Sequence, residues 1–168
     1  MIADSNYRPL TSREYEAWGG FLFVHASVIR ELDRLFDARH GVSVRWYDVL
    51  ATLDEAPERQ LRMSELAQKV VLSSSRVTRV VDRLELQGLV ERRADERDAR
   101  GAYAVLTPLG LRRLQEARRT HHEVVRRRFL GRLTADDQEA LARCWHKILE
   151  ETAASRRDPP VGPGTAAP

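Results

Sequence analysis

Apolar side chains recur through the first part of the chain at alternating steps of three and four, at Tyr15, Trp18, Leu22, Ile29, Leu32 and Phe36, with His25 on the same stripe. Phe21, Val24, Val28 and Leu35 widen it. That period predicts one long amphipathic helix, and a face this broad requires a substantial partner surface. Thr11-Ser12-Arg13-Glu14 reads as a capping box in front of it, and Gly41 as its stop. Ser43 opens a second helix with Trp46, Tyr47, Val49, Leu50 and Leu53, and Pro57 ends that region. Leu61 suits a short strand. Residues 1–10 are polar, carry Pro9 and predict a loose arm.

Mid-chain, the pattern tightens. Leu66, Ala67 and Val70 share one face of a short helix that Ser64 can cap; Leu72 falls in a turn. Ser73 or Ser74 then caps another helix, in which Val77, Val80, Val81 and Leu84 point inward. Two short helices crossing over one core require such a set. The opposite face carries Ser73, Ser74, Ser75, Arg76, Thr78, Arg79 and Arg83, types that donate to phosphates and base edges. Gly88 ends the helix. Leu89, Val90 and a charged run with Arg93 make one strand, Ala102 to Leu106 the other, and Asp95 to Gly101 form the turn-prone loop between them. Helix, turn, helix and β-ribbon together describe a winged helix-turn-helix, a device for reading double-stranded DNA.

Thr107-Pro108 starts a further helix, with Leu111, Leu114, Ala117, His121, Val124, Val125 and Phe129 as its buried stripe and Gly131 as its break. Thr134 caps the last helix, Asp136 and Asp137 fill its first turn, and Leu141, Trp145, Ile148 and Leu149 form its stripe. The pattern divides into an arm (1–10), an N-terminal dimerisation helix (11–41), a reading lobe (43–107), C-terminal dimerisation helices (108–153) and a disordered tail rich in Pro and Gly (154–168). The fold class is mostly α with a small β-wing. The flanking helices carry more apolar surface than the lobe needs, which a two-fold dimer satisfies.

The run Asp95-Glu96-Arg97-Asp98-Ala99-Arg100, followed by Leu106-Thr107-Pro108-Leu109-Gly110, resembles the wing signature of the multiple antibiotic resistance regulator (MarR) family, Asp-x-Arg-Asp-x-Arg and a strand ending in Leu-Thr. The resemblance covers roughly residues 10–153 and departs at Ala99, where family members often carry a second arginine. It implies a homodimeric regulator, expected to be a repressor, on a pseudo-palindromic operator. In the wing, Arg97 is expected to enter a narrow minor groove, with Arg93 and Arg100 also near the DNA and Asp95 or Asp98 pairing with Arg100 to hold the tip. The long first helix is expected to bring His25, Ile29 and Arg30, and the second helix Trp46, Tyr47 and Asp48, to a hinge crevice. MarR-like proteins bind phenolic or carboxylated aromatics in such a crevice, so release by a small aromatic, anionic ligand is the matching expectation.

Composition changes this picture little. The net charge of +3 over 168 residues is modest. Between Arg62 and Arg83, however, five Lys/Arg stand against Glu65 and Asp82, so the reading helix is locally positive. One cysteine, Cys144, excludes an internal disulfide framework and sits beside Trp145 as a small core residue. No apolar run approaches the ~20 residues of a membrane span, and the N-terminus has no signal-peptide core, so a cytoplasmic protein is expected. His121, His122, Glu123 and His25 have no metal-ligand spacing, and no nucleophile–base pair or phosphate loop appears. Neither metal, cofactor nor enzyme activity is expected. The rival readings are a winged helix used as a protein-interaction module and a ligand-insensitive architectural DNA-binding dimer.

Overall fold

The computed structural model describes residues 7–70, 73–95 and 98–157. The expectations for residues 1–6, Leu72, Arg97, the side chain of Arg100 and the tail from 158 on lie outside the described residues. The fold is mostly helical with one small antiparallel sheet. Helices α1 (Ser12–His40), α2 (Val44–Asp54), α3 (Met63–Lys69), α4 (Ser74–Leu86) and α5 (Pro108–Arg128), with strands β1 (Gln60–Arg62), β2 (Val90–Asp95) and β3 (Asp98–Leu106), make one compact unit. A second unit begins at Phe129 and holds α6 (Ala135–Arg157) after a short 3-10 turn.

Local chemistry explains most boundaries. The Thr11 hydroxyl accepts from the Glu14 amide at 3.3 Å, and the Glu14 carboxylate accepts from the Thr11 amide at 2.7 Å, the reciprocal box expected. Those bonds to Thr11, and the Arg8 guanidinium beside it, hold the Glu14 carboxyl below its ordinary range. Helix α2 is capped from a distance: Ser43 makes no side-chain cap, and the Asp33 carboxylate of α1 accepts from the Val44 amide at 3.1 Å. Thr134 and Asp137 form the same reciprocal arrangement at the start of α6, with Asp137 Oδ2 2.9 Å from the Thr134 amide and Thr134 Oγ1 3.2 Å from the Asp137 amide.

Three boundaries move, one of them the end of α6, which runs to Arg157 where a disordered tail was expected from 154. Arg62, not Ser64, precedes α3, its amide donating to Glu65 Oε2 at 3.3 Å; Ser64 lies inside the helix. Strand β3 begins at Asp98 rather than Ala102, because Asp95 pairs across to Asp98 after a bulge at Ala94/Asp95. Within the loop read between Asp95 and Gly101, Asp95 and Asp98 are thus ladder partners. The sheet order is β1-β3-β2, and Leu61 does lie in the added strand, opposite Ala104.

The core of the first unit gathers Leu32, Leu35 and Phe36 of α1, Val49, Leu50 and Leu53 of α2, Leu66 of α3, Val77, Val81 and Leu84 of α4, Val90 and Leu106 of the sheet, and Leu114 and Val124 of α5. Burying each such side chain contributes about 1.5–3 kcal/mol. On α5, Thr120 is buried, and His121 only partly so; on α6, Cys144 is exposed, because that helix covers only Leu141 and Trp145 in part. The N-terminal half of α1 leaves Tyr15, Trp18, Phe21 and Leu22 in solvent, Trp18 at 55 % exposure.

Thr107 ties three elements together. Its hydroxyl donates to the Gly88 carbonyl at 2.7 Å and accepts from the Gly110 amide at 2.9 Å, while its own amide donates to the Leu89 carbonyl at 3.2 Å. Gly88 turns out of α4 at φ 69°, a left-handed conformation that suits glycine. Gly110 is required for a different reason: a Cβ there would meet the Leu89 carbonyl oxygen at 2.0 Å.

Candidate nucleic-acid interface

Helix α4 has two faces. Val77, Val81 and Leu84 are fully buried against the core. Ser73, Ser74, Ser75, Arg76, Thr78, Arg79 and Arg83 are exposed. The side chains selected from spacing thus stand together on one solvent-facing surface. Thr78 spends its hydroxyl on the Ser74 carbonyl at 2.9 Å, and the Ser73 and Ser75 hydroxyls lie 3.3 Å apart. Arg76, Arg79 and Arg83 make no ion pair among the described residues, which leaves their guanidinium groups open to an anionic partner.

The wing follows directly. Strands β2 and β3 pair from Val90↔Leu106 to Asp95↔Asp98, and Arg93 projects from β2 beside Glu91 at 3.1 Å. Asp95 is buried at 7 % exposure and pairs with Arg62 of β1. Arg62 also stands 4.0 Å from Asp98, donates from Nε to the Tyr103 hydroxyl at 3.2 Å, and lies over the Tyr103 ring at 5.7 Å. One arginine from the edge strand therefore holds both wing carboxylates and the neighbouring aromatic. Sequence reading missed Arg62; the expected pairing of Asp95 or Asp98 with Arg100 involves a side chain outside the described residues. The signal for Arg62 was a basic residue directly after Leu61 in a strand expected beside the wing.

Arg92 was missed as well. From β2 it reaches back to α4, pairing with Asp82 at 2.5 Å and Glu85 at 3.3 Å and donating to the Thr78 carbonyl at 3.3 Å. Its amide donates to Glu85 Oε1 at 3.1 Å.

The residues expected around a hinge crevice are less united. Ile29, Trp46 and Tyr47 belong to or pack on the core. Tyr47 touches Phe36, with ring centroids 5.1 Å apart, and stacks on His121 at 4.7 Å. Burial pushes the Tyr47 hydroxyl up and the His121 imidazole down from their ordinary values. Asp48 reaches solvent, but the protein packed around its carboxyl, and then Asp33, raise it. His25 is exposed and stacks on Phe21, and Arg30 is exposed. Two clefts, of about 600 Å³ beside Arg119, His122 and Arg126 and about 300 Å³ between Thr52, Pro57 and Lys69, are lined by other residues. No group of three His, Cys, Asp or Glu among the described residues is arranged to hold a metal ion. No helix among the described residues is long and apolar enough to cross a membrane.

Comparison with known proteins agrees with this geometry. The MarR family profile matches residues 40–101. The HTH-type transcriptional regulator PrsX of Escherichia coli is 32 % identical over 114 residues, covering 68 % of each chain. The HTH-type transcriptional regulator YkoM of Bacillus subtilis is 32 % identical over 102 residues, 61 % of this chain and 64 % of its own length, so the aligned part spans about two thirds of these relatives. Among solved structures, Sco3205, a MarR family transcriptional regulator from Streptomyces coelicolor determined in complex with DNA, superposes with a TM-score of 0.81 at 32 % identity, over 88 % of this chain and 92 % of that one. Each of these relatives is described as a transcriptional regulator. With its helix pair, its three-stranded wing and these relatives, the chain belongs to the MarR family of winged helix-turn-helix transcriptional regulators.

Proposed function

We propose that the chain acts as a homodimeric repressor that reads a pseudo-palindromic operator with α4 and the wing. The observation that carries this is the division of α4: a valine-leucine face in the core, and a serine-arginine face in solvent with three arginines unpaired among the described residues. Ser75, Arg76, Thr78, Arg79 and Arg83 would contact base edges and phosphates in the major groove. Arg93, Arg97 and Arg100 would follow the backbone into the minor groove, with Asp95 and Asp98 stabilising the tip. The relative Sco3205, bound to DNA, supports the same use of this lobe.

Dimerisation is supported by the exposed apolar residues of α1 and by Ile148 and Leu149 of α6, which are 52 % and 61 % exposed in the single chain. A two-fold pairing would cover them and present two reading helices about one helical turn of DNA apart. Bound across a promoter, such a dimer excludes polymerase. Ligand release completes the proposal: a small aromatic anion at Ile29, Trp46, Tyr47 and Asp48, flanked by His25 and Arg30, would change the spacing of the lobes. Its support is the aromatic and polar character of Trp46, Tyr47 and Asp48 on one helix.

The deciding experiment is selection from a randomised duplex pool followed by gel shift. A dyad-symmetric duplex bound in preference to its scrambled counterpart is the expected result; equal binding to both, or preference for single strands, refutes the proposal.

A further inference from the structure

We infer that Arg92, a strand residue, is the positioning residue that sets how α4 presents its reading face. The inference rests on the proposed DNA-reading role of α4. Three α4 acceptors meet this one side chain: the Thr78 carbonyl, the Asp82 carboxylate and the Glu85 carboxylate. Positions 78, 82 and 85 follow the four-then-three spacing that puts residues along a single edge of a helix. The Arg92 amide adds a fourth bond, to Glu85. The buried Val77, Val81 and Leu84 hold α4 against the core; the hydrophobic effect is non-directional, so bonds along the helix edge add a directional restraint on rotation about the helix axis. A planar guanidinium bonded along the helix edge restrains that rotation and fixes the reading face relative to the wing, because Arg92 itself lies in β2.

The same contacts have an electrostatic consequence. Asp82 and Glu85 are the acids of α4 and would repel phosphates alongside Arg79 and Arg83. Arg92 offsets them by direct ion pairing, so the reading surface stays cationic. Positioning and charge compensation are separable, because lysine carries the charge but lacks the planar fork that reaches three acceptors.

The test uses the full chain and the duplex it selects from a randomised pool, with a scrambled duplex of equal length and composition as reference. Wild type, Arg92→Lys, Arg92→Gln and the triple variant Arg92→Gln/Asp82→Asn/Glu85→Gln are titrated on both duplexes, at a temperature where circular dichroism shows each folded. Arg92→Lys is expected to bind scrambled DNA within about twofold of wild type and to lose about tenfold on the selected duplex, the scale of a misplaced base contact. The triple variant, which removes the charge imbalance and the fork together, is expected to recover scrambled-DNA affinity and not the ratio between the duplexes. A wild-type ratio in Arg92→Lys overturns the inference, including the case where both affinities fall equally. A ratio restored in the triple variant also overturns it. A wild-type chain that selects no duplex refutes the DNA-reading function itself, a result distinct from a preferred duplex whose ratio Arg92→Lys leaves intact.

Discussion

The imidazole of His121 lies flat against the ring of Tyr47, with centroids 4.7 Å apart and planes 16° from parallel. This contact joins α5 to α2, and His40 joins α1 to α5 through the Thr120 hydroxyl at 2.8 Å. Both histidines lie below the ordinary imidazole value of 6.5, chiefly through burial, with His122 and Arg118 adding to the effect at His121. The unfolded chain therefore binds more protons than the fold once pH drops below 6.5. Stability is expected to be flat above that value and to fall as pH is lowered through it, until the folded histidines also titrate. Thermal melts from pH 7.5 to 5, run on wild type and His121→Gln, check this; the variant should show a shallower acid limb.

Gly110→Ala should be severely destabilising. The added methyl would sit 2.0 Å from the Leu89 carbonyl oxygen and 2.8 Å from Leu106 Cδ1, and neither the backbone nor the packed leucine can retreat cheaply. Urea unfolding is expected to show a loss of about 3 kcal/mol, the upper end of overpacking effects. Gly19→Ala, where nothing lies within 4 Å, is the matching control and should cost nothing comparable.

DNA binding should be steeply salt-dependent. If two lobes together neutralise about eight phosphates, log affinity against log salt falls with a slope of about −7. Arg97→Ala is expected to weaken binding to all duplexes alike, whereas Arg76→Ala or Arg79→Ala should also relax base preference by about 1–3 kcal/mol per lost contact. Gel shifts at several salt concentrations separate the two classes.

Charge placed on the exposed stripe of α1 should split the dimer. Trp18 and Leu22 are 55 % and 45 % exposed in the single chain, so aspartate at either position creates no buried charge within one protomer. Sedimentation of Trp18→Asp/Leu22→Asp is expected to give a monomer with an unchanged helical spectrum. A dimer of wild-type affinity would place the interface elsewhere.

Aromatic acids and phenols should quench Trp46 fluorescence and weaken operator binding together, by about 5–150-fold for a coupling of ordinary size. A panel that leaves gel shifts unaltered in wild type favours constitutive binding.

Much of this molecule was legible in local sequence, and the rest was not for a definable reason. The Thr11–Glu14 box, the Gly88 exit and the Thr107-Pro108 start each depend on residues within a few positions of one another, where side-chain type and backbone need coincide. The exposed polar face of α4 was legible because the helical period sorts Val77, Val81 and Leu84 from Arg76, Arg79 and Arg83. What stayed hidden is carried by long side chains crossing between elements. Arg62 reaches Asp95, Asp33 caps α2 from another helix, and Arg118 reaches Asp54 at 2.8 Å. An arginine in a strand of mixed charge has several carboxylates within plausible reach, and only the register, with its bulge at Ala94/Asp95, selects among them. The left-handed backbone at Glu58 and Arg59 had no glycine to announce it.

The three bonds around Thr107 leave no soft joint where α4 ends, β2 begins and α5 departs. Helix α5 is 21 residues long, and at 1.5 Å per residue such a rod measures about 30 Å. A tilt of about 5° at one end of a rod that length moves the other by nearly 3 Å. In a symmetric pair such displacements add, against grooves repeating every ~34 Å. Calipers behave this way: a small change of angle where the arms meet becomes a misfit at the tips, with no deformation of the tips themselves.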